Sequence, residues 1–111
     1  MAFGYKILGQ AAPADTSAAD LYTTPASTET IVSTIAIANV TGTDATYEIY
    51  VREAGAAAAD ANALVKGATA AANTTTTIGI GITLAATDVV TIQSGTASAL
   101  TFHAFGTEVT A

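Results

Sequence analysis

Residues 30–53 read TIVSTIAIANVTGTDATYEIYVRE, and this stretch decides the fold class. Large apolar residues occupy alternate positions on both sides of residues 40–44. They are Ile31, Ile35, Ile37, Tyr47, Ile49 and Val51. Alternation with a period of two is typical of a strand with one buried face, and the glycine-containing turn between two such runs predicts a β-hairpin. The apolar face of this hairpin must be covered by another sheet.

The clearest alternation runs through residues 74–84, where apolar side chains are separated by two glycines and a threonine. The apolar members are Ile78, Ile80, Ile82 and Leu84. The glycines leave room for the approach of another backbone or an aromatic ring, at a cost in strand stability. Further short strands are predicted around residues 3–8, 20–25, 62–68, 87–93 and 99–109. The alanine-rich residues 54–60 are predicted to form a loop with at most one helical turn.

About eight short strands separated by turns predict an all-β fold, and we expect a single antiparallel β-sandwich of the jelly-roll or immunoglobulin-like kind. The chain has 111 residues, which is enough for one hydrophobic core and too few for two. Residues 1–111 are therefore expected to form one domain. Residues 1–10 are either its first strand or an arm that docks on a neighbouring subunit.

The chain carries few charges, and most of them are acidic. Charged residues make up 11% of the sequence, less than half of the usual share of about 25%. A surface with so few charges suits burial against other copies or within a larger assembly. Three Lys and Arg residues stand against nine Asp and Glu residues. Because nucleic-acid affinity depends on clustered cations, we expect no binding to nucleic acid.

The sequence gives no sign of a membrane partner. Residues 1–10 lack the cationic and apolar regions of an export signal, and no run approaches the roughly 20 apolar residues of a membrane span. There is no cysteine, so neither a disulfide nor a thiolate metal site can form.

No catalytic or cofactor-binding motif is present, because a Gly-x-Ser-x-Gly elbow, a P-loop and a dinucleotide-binding glycine motif are all absent. The single histidine, His103, is interpreted as a strand residue rather than a metal ligand. Carboxylates fall in predicted turns or on outward strand positions, where aspartates could share a Ca²⁺ ion with backbone carbonyls. Asn39 and Asn73 begin glycosylation sequons and are interpreted as turn residues. We therefore predict no catalytic, cofactor-binding or metal-binding residues.

Aromatic side chains are the predicted contacts with a partner, because they supply large contact areas at interfaces. The predicted partner-binding residues are Phe3, Tyr5, Tyr22 and Tyr50. Phe3 and Tyr5 lie in the first predicted strand, and an aromatic arm on an acidic domain is suited to docking on a neighbouring subunit.

Six segments carry a resemblance to a known family. They are MAFGYKILGQ (residues 1–10), LYTTP (21–25), VSTI (32–35), YVR (50–52), LAATDVV (84–90) and LTFHAFG (100–106). Together they resemble a family of small virion structural proteins of tailed phages, notably phages of marine cyanobacteria. The resemblance extends over nearly the whole chain and implies a non-enzymatic, multicopy component of the particle. Its motifs are structural, so it transfers no binding residue.

The leading hypothesis is a capsid decoration or cement protein that bridges neighbouring capsid subunits. Its partners would be the major capsid protein or other virion proteins, and its location the virion, assembled in the host cytoplasm. An alternative is a tail or fibre module that recognises the host surface through Tyr22, Tyr50 or neighbouring turns. The weakest alternative is a sugar hydrolase that uses His103, Glu108 and Glu48. The number of apolar positions also predicts a homo-oligomer such as a trimer.

Overall fold

The computed structural model describes the backbone of residues 2–110 and the side chains of residues 4–110. The strands of this part are β1 (Ala2–Ala11), β2 (Ala19–Thr23), β3 (Thr28–Asn39), β4 (Ala45–Arg52), β5 (Ala63–Ala70), β6 (Thr75–Ile78), β7 (Ile82–Leu84), β8 (Val89–Ser94) and β9 (Leu100–Thr110). Two single turns of 3₁₀ helix, Glu53–Gly55 and Asp60–Asn62, flank the alanine-rich loop between β4 and β5. None of the described residues forms a helix long and apolar enough to cross a membrane.

The strands form two antiparallel sheets that pack face to face. One sheet has the order β1-β9-β3-β6, with β7 also paired to β3, and the other has the order β2-β8-β4-β5. Strands β6 and β7 both pair with β3 and can be counted as one interrupted strand. Each sheet then has four strands, and the strand order is that of a jelly roll. The all-β antiparallel sandwich predicted from the sequence is therefore confirmed, and its topology is the jelly roll rather than the immunoglobulin type.

The predicted hairpin over residues 30–53 is wrong, because its two strands lie in different sheets. Strand β3 pairs with β9, β6 and β7, whereas β4 pairs with β5 and β8. Residues 40–44 carry the chain from one sheet to the other. The alternating pattern fits both arrangements, since Ile35 and Ile37 of one sheet face Tyr47 and Ile49 of the other and all four are buried.

The buried side chain of Asn39 fixes this crossing between the sheets. Its Nδ2 atom donates to the carbonyl oxygens of Thr43 and Ala70, each at 2.9 Å. Its Oδ1 atom accepts from the backbone N–H of Thr41 at 2.9 Å and from the Thr41 hydroxyl at 2.8 Å. Three of these hydrogen bonds are local to the crossing and one reaches β5 in the other sheet, so the amide stabilises the conformation of residues 39–43.

A bulge at Ser33 reverses the faces of β3 halfway along the strand. The register with β9 shifts between Val32 and Thr34, so Thr30 and Val32 point inward before the bulge and Ile35 and Ile37 point inward after it. Ile31, which the period-two pattern assigns to the buried face, is therefore on the outer face.

A second bulge, at Leu8 of β1, lies at the same level on the other side of β9. Gly106 lies between the two bulges, and a Cβ atom there would collide with the carbonyl oxygen of Ile31. Gly9 lies equally close to the carbonyl oxygen of Leu21 in the other sheet. Both positions require glycine, because a neighbouring backbone occupies the space of a side chain.

The predicted strand over residues 74–84 is interrupted at residues 79–81, opposite the Ser33 bulge. Gly81 has a φ of 65°, which ends the regular strand conformation. The interruption leaves Ile80 on the surface with 57% exposure, while Ile82 and Leu84 are buried. The glycines here therefore permit a break in the strand rather than the close approach of a neighbour.

Candidate interaction surface

The outer face of the five-stranded sheet carries a cluster of exposed apolar side chains, which we call the outer patch. It consists of Tyr5, Ile7, Ile31 and Phe105, whose exposures are 89%, 55%, 49% and 37%. The three strands β1, β9 and β3 supply these side chains. Contiguous exposed apolar surface is uncommon on monomeric proteins and typically marks an interaction site.

The strand register makes the outer patch contiguous. Ile7 lies opposite Phe105 across the β1–β9 pair, and Tyr5 lies opposite Thr107. Thr107 in turn lies opposite Ile31 on β3, so Tyr5 and Ile31 are two strand spacings apart, about 10 Å. The two bulges are required for this arrangement, since they turn Ile31 outward and bring Ile7 level with Phe105.

One border of the outer patch is polar. The imidazole of His103 stacks on the ring of Phe105, with centroids 6.0 Å apart and planes 5° from parallel. The Nδ1 atom of His103 is 3.0 Å from the side-chain Nε2 of Gln10, which donates to it. This arrangement orients the ring of Phe105 and gives the histidine a structural role.

The predicted partner-binding residues fall in different environments. Phe3 belongs to β1, but its side chain lies outside the described side chains. Tyr5 is on the outer patch and is almost fully exposed. Tyr22 and Tyr50 are 7% and 5% exposed, because other side chains cover Tyr22 between the two sheets and Tyr50 on the outer face of the four-stranded sheet.

Tyr22 links the two sheets through a hydrogen-bonded chain. Its hydroxyl donates to Oε2 of Glu108 at 2.5 Å and lies 2.8 Å from the hydroxyl of Thr30. The other carboxylate oxygen of Glu108 accepts from the ammonium group of Lys6 at 2.7 Å. Because the single proton of the tyrosine goes to the carboxylate, the Thr30 hydroxyl is the donor in its contact with Tyr22.

This network shifts two pKa values in opposite directions. Hydrogen bonds from Lys6 and Tyr22 hold the pKa of Glu108 below its ordinary value. Burial, together with the hydrogen bond to Glu108, raises the pKa of Tyr22 to about 12. At neutral pH the network therefore contains an ionised carboxylate and a protonated phenol.

Tyr50 lies on the outer face of the four-stranded sheet beneath Lys66. Its hydroxyl donates to Glu48 at 2.6 Å and accepts from the Lys66 ammonium at 3.2 Å. The ammonium also lies 3.1 Å from Asp60 in the neighbouring loop and 5.5 Å from the centroid of the Tyr50 ring. These contacts raise the pKa of Lys66, with the hydrogen bond to Tyr50 as the largest cause.

The three residues considered for catalysis are not brought together. His103 and Glu108 lie five positions apart on β9, so their side chains project from opposite faces of the sheet. Glu48 belongs to β4 of the other sheet. In the part of the chain that the structure describes, no three His, Asp or Glu side chains are close enough to hold a metal ion.

Two turn aspartates that could have contributed to a Ca²⁺ site instead bind backbone N–H groups. Asp88 accepts from Ala54 and Ala85 through its two oxygens, each at 2.9 Å. Asp44 accepts from Ala72 at 2.9 Å. These bonds tie loops to strand ends, as short acidic side chains in turns commonly do.

A shallow cavity of about 480 Å³ lies beside one end of the outer patch, between the start of β3 and the loop after β7. Glu29, Ile31, Leu84, Asp88 and Val109 are among its lining residues. Asp88 already accepts two hydrogen bonds, and the lining presents no constellation of reactive groups. The cavity extends the outer patch rather than forming a separate chemical site.

Sequence reasoning missed Ile7 and Ile31 as surface residues, although one signal was available. Val32 and Ile35 are three positions apart, and two inward-facing residues of a regular strand are always an even number apart. The odd spacing therefore indicates a bulge between Val32 and Ile35. Because Val32 faces inward, its neighbour Ile31 faces outward.

Comparisons with known proteins give little additional information. No protein-family model matches the chain, and no curated protein matches it. A solved structure of the infectious bursal disease virus Gx strain is similar, with a TM-score of 0.43 and 14% sequence identity. The match covers 96% of this chain and 31% of that chain, so this chain spans less than a third of the length of the viral one. A likeness of this size carries no inference about function.

Proposed function

We propose that this chain is a phage virion structural protein that decorates and cements the capsid by bridging neighbouring capsid subunits. The observation that carries the proposal is the outer patch, an exposed apolar surface on a sheet that is held rigid by the core beneath it. The resemblance of six sequence segments to small virion structural proteins of tailed phages gives the patch a class of partner.

The composition of the outer patch suits a protein interface. Aromatic side chains are enriched and charged side chains depleted at the centres of interfaces, and none of the four patch residues is charged. The cross-strand neighbours Thr34, Thr83 and Thr107 are also uncharged. A partner can therefore cover these seven residues without burying an unpaired charge.

Repetition compensates for a small contact. A stable interface buries about 1,600 Å² in total, and one face of a small sheet supplies only part of the roughly 800 Å² needed from each partner. On a capsid the same contact is repeated around the lattice, so the effective concentration of each site strengthens binding without further contacts. Bridging two capsid subunits would then stabilise the shell against expansion.

The tail or fibre alternative is weakened by the burial of two of the side chains that suggested it. It relied on Tyr22, Tyr50 or neighbouring turns for recognition of the host surface, and both tyrosines are buried. Immunogold labelling of virions separates the two locations. Even labelling of the head supports the decoration role, whereas a signal confined to the tail end contradicts it.

The cementing role is tested with particles that lack this protein. We expect such particles to lose resistance to heat and osmotic shock, and to regain it when purified protein is added back. Particles that keep their full resistance without the protein would contradict the proposal.

The docking surface is tested with a charge on the outer patch. Ile31→Lys should weaken binding to the stripped particles at least about tenfold, since a lysine would be buried at the contact. Ile80→Lys is the matched control, because Ile80 is comparably exposed but lies in the break between β6 and β7. Equal binding by both variants would show that the outer patch is not the docking surface.

A further inference from the structure

The four sheet edges differ in how well they resist the addition of another strand. Strand β2 has only five residues, with an irregularity around Leu21 and a proline, Pro25, soon after its end. Strand β5 has two shifts of register against β4, and its Gly67 has a φ of 71°. The edge formed by β6 and β7 is interrupted at residues 79–81. Short strands, bulges and breaks are the usual devices that block strand addition.

Strand β1 is the exception. It has ten residues, pairs with β9 without irregularity from Ala2 to Ile7, and has no strand partner on its other side within residues 2–110. Its sequence contains neither proline nor a carboxylate. Lys6, a residue type that can protect an edge, is bound to Glu108 of the adjacent strand. Unpaired backbone groups on this edge are available to another strand.

We propose that a second copy of this chain pairs with β1, strand to strand and antiparallel, about a two-fold axis at Tyr5. The pairing joins two five-stranded sheets into one continuous sheet. The two outer patches then lie on the same side of that sheet and meet at Tyr5 and Ile7.

The register follows from the position of the bulge and from the charge on Lys6. The regular part of β1 ends at Ile7. With a two-fold axis at Tyr5, residues 3–7 of one copy pair with residues 3–7 of the other, and all of them lie in this regular part. An axis at Lys6 would place two ammonium groups opposite each other, which is unfavourable. With the axis at Tyr5, Lys6 instead lies opposite the partner's Gly4.

Charge complementarity makes a second copy the fitting occupant. Gly4 pairs with Glu108 on β9, and there is open space at the position of a Gly4 side chain. In the dimer, Lys6 therefore lies in one row with Glu108 of the partner subunit, with only the partner's Gly4 between them. Each copy carries a net charge of −6, and this arrangement places two ammonium groups beside two carboxylates at the axis.

The two-fold contact goes beyond the proposed capsid function and does not depend on it. A contact that uses the same strand from both copies closes with two subunits, so it yields a dimer rather than the trimer expected from the composition. A protein that binds stripped capsids as a monomer would overturn the dimer and leave the decoration role intact. A dimer that fails to bind capsids would contradict the decoration role and leave the dimer intact.

Disulfide trapping tests the register, because the chain contains no cysteine of its own. Directly opposite residues of an antiparallel pair have Cα atoms about 4.5–5.5 Å apart, within reach of a disulfide. Under mild oxidation, Tyr5→Cys should give a covalent dimer. Ile7→Cys should not, because its counterpart lies about four residues, or roughly 14 Å, along the strand. A covalent dimer of Ile7→Cys, or none of Tyr5→Cys, overturns the pairing.

Analytical ultracentrifugation tests the dimer without a crosslink. The unmodified chain should sediment as a dimer at micromolar concentrations, and Ile7→Lys should weaken dimerisation at least tenfold. Ile80→Lys is the matched control, since the exposures of Ile80 and Ile7 are nearly equal. Circular dichroism should show both variants folded. A monomeric unmodified chain, or equal loss of dimer in both variants, overturns the proposal.

Discussion

The hydroxyl of Tyr22 donates a 2.5 Å hydrogen bond to Glu108, and this bond joins the four-stranded sheet to the five-stranded sheet. Tyr22 belongs to β2, whereas Glu108 and Thr30 belong to β9 and β3. The contact is therefore a polar link between the sheets at the edge of a largely apolar core. Its energetic role can be separated from packing by removing a single oxygen atom.

Tyr22→Phe should lower the free energy of unfolding by about 1–3 kcal/mol, because Glu108 and Thr30 each lose a partner in a largely buried place. Urea denaturation measures this change. Tyr47→Phe is the control, since Tyr47 is also buried and its hydroxyl has no side-chain partner within the described residues. Equal losses in the two variants would show that the link contributes nothing specific.

The same network should contribute a pH-dependent part of the stability. The pKa of folded Glu108 lies below the ordinary 4.5, so the folded state binds this proton more weakly than the unfolded state. The contribution is complete above about pH 4.5 and is lost as the pH falls through the lower, folded value. The difference in unfolding free energy between the unmodified chain and Glu108→Gln should therefore shrink below about pH 4.5. A difference that stays constant from pH 7 to pH 3 would contradict this assignment.

Gly106→Ala should destabilise the chain by about 1–3 kcal/mol, because the added methyl group meets the backbone of β3 and the side chain of Leu8. The strands must move apart to admit it. Gly42→Ala is the matched control, since the space around a Cβ atom at Gly42 is open. Thermal unfolding should show a clear drop for the first variant and little change for the second.

Asn39→Ala should cost at least about 2 kcal/mol, since it removes four hydrogen bonds and leaves the buried carbonyl of Ala70 without this donor. The crossing between the sheets should also become more mobile, which amide hydrogen exchange over residues 40–44 can measure. Thr43→Ala is the control, because Thr43 takes part in the network only through its backbone atoms. Unchanged exchange in Asn39→Ala would show that other contacts hold the crossing.

The fold class was accessible from the sequence, because alternation of large apolar residues depends only on which face of a strand is buried. Strand β9 follows this alternation, with Leu100, Phe102 and Ala104 inward and His103 and Phe105 outward. The partner of each strand was not accessible. The apolar pattern is the same whether the chain reverses within one sheet at residues 40–44 or crosses there to the other sheet. The contact that distinguishes the two arrangements, from Asn39 to Ala70, joins residues that are distant in sequence.

The outer patch could be predicted only in part from the sequence, because aromatic character does not reveal exposure. Tyr5 and Tyr22 are equally suited to an interface by type, yet one lies on the outer face of β1 and the other is buried between the sheets. The environment of Tyr22 is set by Glu108 and Thr30, which come from strands remote in sequence. Local sequence patterns cannot reveal such contacts. The odd spacing between Val32 and Ile35, in contrast, could have identified Ile31 as a surface residue.

Strand β9 lies between β1 and β3, and this position governs the order in which the sheet can be assembled. During synthesis the ribosome releases β1 and β3 long before β9, so neither has its main neighbour until nearly all of the described chain has emerged. Because such remote pairing carries a large loop-closure cost, refolding should be slow for a chain of this length. Until β9 is inserted, two long apolar strands are exposed, and a truncation that removes it would leave both of them open to aggregation.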